Sequence, residues 1–131
     1  MVIIGGFTLW GIIFAFFVLY FKDDVALSPS NTTALVRCVG ADAQNFSCYK
    51  KRLEGVTEQL GKSAGLSELH RLYDTNSYAN SQCHQLAHVV GNTVAQRVEN
   101  IADAFVDGDS LCWSGYYHGV VETFVSLRGK E

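Results

Sequence analysis

Apolar residues recur every three or four positions over most of the chain after residue 35, as they do along one face of an α-helix. The clearest segment spans residues 45–65, and its apolar side chains fall at helical spacing: Phe46, Tyr49, Leu53, Val56 and Leu60. Gly65 is expected to end this helix. Since no segment shows the strict alternation typical of a β-strand, the pattern predicts an all-α domain.

Four more helices are predicted after the first. They cover residues 66–76, 77–100, 100–109 and 110–130. Ser110 is the candidate N-cap of the last helix, because a serine side chain can accept a hydrogen bond from the first free backbone amides. The pattern therefore predicts a small bundle of antiparallel type over residues 35–131.

The chain begins with an apolar run that contains no charge from residue 2 to residue 21. About 20 apolar residues suffice for a helix to cross a bilayer. We predict a retained transmembrane anchor at residues 1–22 and a polar connector at residues 23–34. A cleaved leader is the alternative, although the run is long and lacks a small-residue cleavage pattern. The predicted fold class is thus all-α, with an N-terminal transmembrane helix followed by a small disulfide-stabilised helical bundle.

The start of this apolar run resembles the N-terminal segment of type IV pilins. Gly6 is followed by Phe-Thr-Leu at residues 7–9, as in that family. Gly11 stands where the pilin pattern has a glutamate, so the resemblance covers only a few residues. It implies a filament component whose mature chain would begin at Phe7.

The cysteines and two asparagines suggest a compartment for the domain. The four cysteines all follow the apolar run: Cys38, Cys48, Cys83 and Cys112. An even number in a domain of this size is typical of disulfides formed in an oxidising compartment. Asn31 and Asn45 each begin a glycosylation acceptor sequence. We therefore predict a single-pass membrane protein with an extracytoplasmic domain, and the net charge of −3 without a basic patch argues against a nucleic-acid partner.

Two segments place metal-ligating residue types four positions apart. His84 and His88 lie in "CHQLAHVVGN", and His118 and Glu122 lie in "CWSGYYHGVVE". Residues four apart on a helix share one side, with Cβ atoms about 5–6 Å apart. Since imidazole and carboxylate both bind zinc, and imidazole binds copper, these four side chains are predicted to form a zinc or copper site. Glu122 would either bind the metal directly or orient His118.

Small residues accompany the predicted ligands on both helices. Gly91 and Ala95 share the side of the histidines on the first helix, and Gly115 and Gly119 flank His118 on the second. A helical glycine costs about 1 kcal/mol against alanine, so these positions predict a close approach of two helices. Bulky residues are expected on the opposite, buried side of the last helix: Trp113, Tyr116, Val120, Phe124 and Leu127.

The position of the cysteines favours one pairing. Cys83 and Cys112 each precede a histidine-bearing segment, so a bond between them would tie the two helices at matching depth. Cys38 and Cys48 would then close a small loop. Four cysteines allow three pairings, and the sequence leaves the others open. Thiolate ligation by Cys83 is disfavoured, because adjacent helical residues point about 100° apart.

These features lead to three hypotheses of different classes. The first is a membrane-anchored, extracytoplasmic domain that binds a transition metal as an accessory subunit of a larger membrane complex. The second is a structural or interaction subunit, in a membrane complex or a pilin-like filament, whose histidines are structural. The third is a small hydrolase that uses a metal-bound water, or an acid–base pair without metal. The sequence favours a protein that is not an enzyme, and His70 is assigned to the surface or to a helix interface.

Overall fold

A computed structural model of the chain describes residues 36–128. A 3₁₀ turn at Gly40–Gln44 precedes the α-helices, and no strand occurs in this part of the chain. The helices are α1 (Phe46–Leu60), α2 (Lys62–Thr75), α3 (Ser77–Ser81), α4 (Cys83–Ala95), α5 (Ile101–Phe105) and α6 (Leu111–Arg128). The all-α prediction is therefore confirmed for residues 36–128.

The N-terminal predictions fall outside these residues. This applies to the anchor at 1–22, the connector at 23–34 and the pilin-like start. Of the helices that the structure does describe, none is both long and apolar enough to cross a membrane.

Helices α1 and α2 pack against each other across a single connecting residue, Gly61. Its φ of 88° is a left-handed conformation that glycine adopts without steric cost. The prediction that Gly65 ends the helix is wrong, because Gly65 lies inside α2 and is buried against α1. A Cβ at Gly65 would collide with the hydroxyl of Thr57, so this glycine permits close packing instead of ending a helix.

The predicted helix over residues 77–100 is two shorter helices in the structure. The Asn76 side chain caps α3 by accepting from the Ala79 amide at 2.8 Å. The chain leaves helical geometry at Gln82, where φ is −103° and ψ is 10°, and α4 then begins. Helix α4 ends at Ala95, and the chain does not continue as a helix to residue 100. The Asn100 side chain caps the next helix, α5, by accepting from the Asp103 amide at 3.0 Å.

The core lies among α1, α2, α4 and α6. The largest of its fully buried side chains are Tyr49, Leu53, Thr57, Leu69, Leu86, Val90, Tyr116 and Val120. The Tyr116 hydroxyl donates to the Ala104 carbonyl at 2.6 Å. Burial, together with the neighbouring Tyr117, raises the pKa of Tyr116 to about 12, so this hydroxyl remains a donor at neutral pH. Throughout residues 36–128 every buried side-chain polar atom has a hydrogen-bond partner.

The first turn of α6 has an unexpected conformation. Cys112, Trp113 and Ser114 have φ values of 58°, 55° and 60°, and all three lie in the left-handed region. Left-handed geometry costs roughly 1–2 kcal/mol for each residue other than glycine. The prediction that the Ser110 side chain caps this helix is wrong. The Asp109 side chain accepts from the Leu111 amide instead, at 2.6 Å.

This left-handed turn changes which side chains α6 buries. Tyr116, Val120 and Phe124 are buried as predicted. The prediction for Trp113 is wrong, since its side chain is 87% exposed. Leu127 is also exposed, because it lies in the last turn of α6 beyond the core.

Both disulfides have the predicted pairing. Cys38 is bonded to Cys48, with Cα atoms 5.8 Å apart, and Cys83 is bonded to Cys112, with Cα atoms 5.6 Å apart. These separations lie within the usual range for a disulfide. The second bond joins the first turn of α4 to the first turn of α6.

Candidate metal centre

Helices α4 and α6 touch along their small residues. A Cβ at Gly115 would collide with the His84 carbonyl oxygen, and a Cβ at Gly119 would collide with the His88 carbonyl oxygen. Gly91 meets the backbone of α6 in the same way. The prediction of a close helix approach is confirmed, and the approach is close enough that only glycine fits at these positions.

The direction of this helix pair differs from the antiparallel type predicted for the bundle, but it agrees with the matching depth predicted from Cys83 and Cys112. His84 lies beside Gly115, and His88 lies beside Gly119, so the residue numbers increase in the same direction along both helices. Helices α4 and α6 are therefore parallel, not antiparallel. Helix α4 has 13 residues and is about 20 Å long. Residues 96–110, which include α5, connect the end of α4 to the start of α6 and are long enough to cover this distance.

Three histidines meet where the two helices touch, and we call His84, His88 and His118 the histidine triangle. One ring nitrogen from each lies within 4.8 Å of the others. The ring centroids are 4.8, 5.3 and 5.7 Å apart, and the rings are steeply inclined to one another. The structure therefore brings together the three histidines that the sequence selected.

The His84 ring is fixed by a backbone carbonyl. Its Nδ1 lies 2.7 Å from the carbonyl oxygen of Cys112, the first residue of the left-handed turn. A carbonyl can only accept, so Nδ1 must carry the proton and donate it. In the neutral ring, Nε2 is then left with a lone pair that points into the triangle.

A carboxylate lies near the corresponding nitrogen of the His88 ring, at a longer distance. The Nδ1 of His88 lies 3.4 Å from Oε2 of Glu122, and its Nε2 lies 3.2 Å from Nε2 of His84. If both Nδ1 atoms carry protons, two neutral rings direct lone pairs at each other across this short distance. Such an arrangement is favourable only when a cation, either a metal ion or a proton, lies between the two nitrogens.

Glu122 is beside the triangle but not part of it. Its side chain is 65% exposed, and its carboxylate contacts the Nδ1 of His88, not the nitrogen that faces the other histidines. The sequence had paired Glu122 with His118 on its own helix. The structure places it against a histidine of the neighbouring helix instead.

Two contributors to this site were missed by the sequence analysis. One is the Cys112 carbonyl, a backbone atom that leaves no signature in residue type. The other is a link one turn farther along, where the Thr123 hydroxyl donates to Oδ1 of Asn92 at 3.1 Å and ties α6 to α4. Asn92 lies four residues after His88, on the same side of the helix, and that spacing was the available signal.

The fourth histidine lies outside the triangle. His70 is half-exposed on α2, and its Nε2 lies 2.5 Å from Oδ2 of Asp109. Burial would raise the pKa of Asp109, but the hydrogen bonds from His70 and from the Leu111 amide outweigh it and lower the pKa. His70 thus bridges two segments of the chain, as predicted for a residue at the surface or at a helix interface.

The histidine triangle combines three imidazoles from two parallel helices, a carbonyl that orients one ring, a carboxylate beside a second ring, and a disulfide at the adjoining helix ends. Imidazole nitrogens arranged in this way are suited to binding a transition-metal ion. No known protein family matches this chain, and no curated protein or solved structure is significantly similar to it.

Proposed function

We propose that this domain binds one divalent transition-metal ion, zinc or copper, through the histidine triangle. The observation that carries the proposal is the 3.2 Å separation of the Nε2 atoms of His84 and His88, each in a ring whose Nδ1 faces an acceptor. His118 supplies the third nitrogen from the opposite helix.

The distances fit a tetrahedral ion with one small adjustment. Zinc–nitrogen bonds of 2.0–2.1 Å place neighbouring nitrogens roughly 3.3 Å apart in a tetrahedral site. The 3.2 Å between His84 and His88 already matches this value. Since one nitrogen of each ring lies within 4.8 Å of a nitrogen of the other two, the His118 nitrogen has to approach by roughly 1.5 Å at most. Its ring is exposed, so a rotamer change can supply this movement.

The available donors favour zinc or copper(II). All four cysteines are in disulfides, so the described chain offers no thiolate. Copper(I) prefers soft sulfur ligands, whereas imidazole suits zinc and copper(II). Three protein ligands leave a fourth position, which water would occupy.

Glu122 and the Cys112 carbonyl support the ligands without binding the ion. Each faces the Nδ1 of one metal-binding ring, and such outer partners fix the ring orientation and make the other nitrogen a better ligand. In this proposal Glu122 orients His88 and is not a ligand.

The proposed biological role is an accessory, metal-handling subunit of a larger membrane complex. The disulfides support an oxidising, extracytoplasmic location, and the uncharged run at residues 2–21 supports a membrane anchor. A metal-free structural subunit is the competing assignment. In that case the His88 tautomer that carries its proton on Nε2 would donate to Nε2 of His84, and no metal would be needed.

His118→Ala is expected to weaken zinc and copper(II) binding by more than about 100-fold, because loss of a ligand costs more than loss of an outer partner. The measurement is calorimetric titration of each metal into the full chain near neutral pH. His70→Ala is the matched control, since it removes a histidine that lies outside the triangle, and it should bind as tightly as wild type. Metal binding should also weaken in acid, because protons compete for the imidazoles. A wild-type chain that binds neither metal would refute the site.

Glu122→Gln is expected to weaken metal binding by about tenfold, less than His118→Ala does, because the amide orients the His88 ring less strongly than the carboxylate. The same titrations measure this difference. Glu58→Gln is the control, because Glu58 is an exposed glutamate on α1. A loss as large as that of His118→Ala would show that the carboxylate binds the ion directly.

A further inference from the structure

A second candidate site lies beside α1 and α2 and is formed by residues that precede the histidine triangle in the sequence. A cleft of about 320 Å³ has three arginines among its lining residues, Arg37, Arg52 and Arg71. Small-molecule sites have volumes of roughly 300–1,000 Å³, so this cleft is large enough for a compact ligand. None of the residues that line it is acidic.

Two of the arginines share one carboxylate. Arg71 donates to both oxygens of Glu68, at 2.8 and 2.6 Å, and Arg52 donates from Nε to the same carboxylate. Burial would raise the pKa of Glu68, but these hydrogen bonds outweigh it and lower the pKa, so Glu68 is ionised at neutral pH. One negative charge thus offsets only one of the two positive charges.

The backbone on both sides of the third arginine is fixed, and the charge of its side chain is not neutralised. The segment that carries Arg37 is fixed on one side by the Cys38–Cys48 bond to α1. On the other side, Nη1 of Arg52 donates to the Val36 carbonyl at 2.7 Å. Arg37 itself makes no hydrogen bond or ion pair with the described chain. The cleft therefore has two uncompensated positive charges, although the whole chain has a net charge of −3.

We infer that this cleft binds a small phosphorylated molecule, a phosphate monoester. The unpaired guanidinium fork of Arg37 matches two phosphate oxygens at once, which a single ammonium group cannot do, whereas Arg52 and Arg71 already donate to Glu68 and contribute mainly positive charge. A phosphate monoester carries a charge of about −1.5 to −2 near neutral pH, which matches the two uncompensated charges. The volume exceeds that of a phosphate group, and the exposed Val39 is among the lining residues, so an organic body has an apolar side chain to contact.

The inference does not depend on metal binding, since no residue of the cleft belongs to the histidine triangle. Two sources present a phosphate monoester: a free metabolite and the head group of a lipid such as phosphatidic acid. They share the recognition chemistry and differ in how the phosphate is presented, so the test has one arm for each.

The test is a binding titration of the full chain with glycerol 3-phosphate and, separately, with phosphatidylcholine vesicles that contain phosphatidic acid. Saturable binding is expected in at least one arm. Arg37→Gln should weaken it by about tenfold or more, because it removes a charge-assisted pair of hydrogen bonds. Arg37→Lys should give an intermediate loss, since the charge remains and the fork is lost. Lys51→Gln is the control, because it removes a neighbouring exposed charge outside the cleft.

The two titrations distinguish a free metabolite from a lipid head group. Binding of glycerol 3-phosphate supports a free metabolite, and binding only to the acidic vesicles supports a lipid head group; either result supports a phosphate site. Absence of saturable binding in both arms overturns the inference. Equal losses in Arg37→Gln and Lys51→Gln also overturn it, because they would indicate attraction to overall charge. Melting temperatures of the variants show whether each one folds.

Discussion

Replacing Cys83 and Cys112 together by serine is expected to weaken metal binding by about 10–100-fold, the range for loss of an outer partner. The bond joins residues 29 positions apart and fixes the Cys112 carbonyl that orients His84. Removing a native disulfide from a small domain also costs about 2–5 kcal/mol of stability. Zinc titration measures the first effect, and urea unfolding measures the second.

The other disulfide provides the control for this prediction. The Cys38–Cys48 bond spans only 10 positions and lies away from the histidine triangle. The Cys38→Ser, Cys48→Ser double variant should therefore lose less stability and keep its metal affinity. If the Cys83 and Cys112 variant also keeps full metal affinity, the left-handed turn does not depend on the disulfide, and the carbonyl is held by other contacts.

Gly91→Ala is expected to destabilise the domain by about 1–3 kcal/mol, the range for overpacking a core. A Cβ at this buried position would collide with the carbonyl oxygen of Tyr116, which belongs to the backbone of α6 and cannot rotate away. The helices would have to separate, and His88 would move away from His118. Urea unfolding measures the loss of stability, and zinc titration should show weaker binding.

Gly55→Ala is the matched control, because Gly55 also lies inside a helix. A Cβ there would meet only the end of the Gln59 side chain, at 3.8 Å. Alanine should therefore stabilise the domain by up to about 1 kcal/mol, as helix propensity alone predicts. If both substitutions changed stability in the same direction, the contact between α4 and α6 would not be as tight as described.

The histidine triangle was predictable because its signals are local. A spacing of four residues decides which side chains share a helix face, and glycines inside a helix have few uses other than close packing. His84 and His88 on one helix, and His118 between two glycines on another, therefore identified the contacting surfaces. The same reasoning selected Cys83 and Cys112 as partners, which the structure confirms.

The orientation of the rings could not be predicted in the same way. Trp113 follows the helical spacing of a buried residue, yet the left-handed turn exposes it, and that turn contains no glycine or asparagine that would signal it. The contact of Glu122 with His88 depends on how two helices are rotated against each other, which a single helix does not reveal. Likewise, the sequence does not show that the first helix ends at Gly61 and not at Gly65, because the role of Gly65 depends on its packing against Thr57.

The parallel pairing of α4 and α6 also determines when, during folding, the triangle can form. α1 and α2 are separated by one residue and can associate early, whereas His88 and His118 are 30 positions apart. Contacts between distant positions form late, because the entropy of closing the loop is lost before any contact compensates for it. A metal ion would therefore encounter its ligands only in a chain that has already assembled its core and can close its disulfides. If it binds a metal as proposed, such a domain would take up and release the ion in its folded state, in contrast to small domains that unfold when their metal is removed.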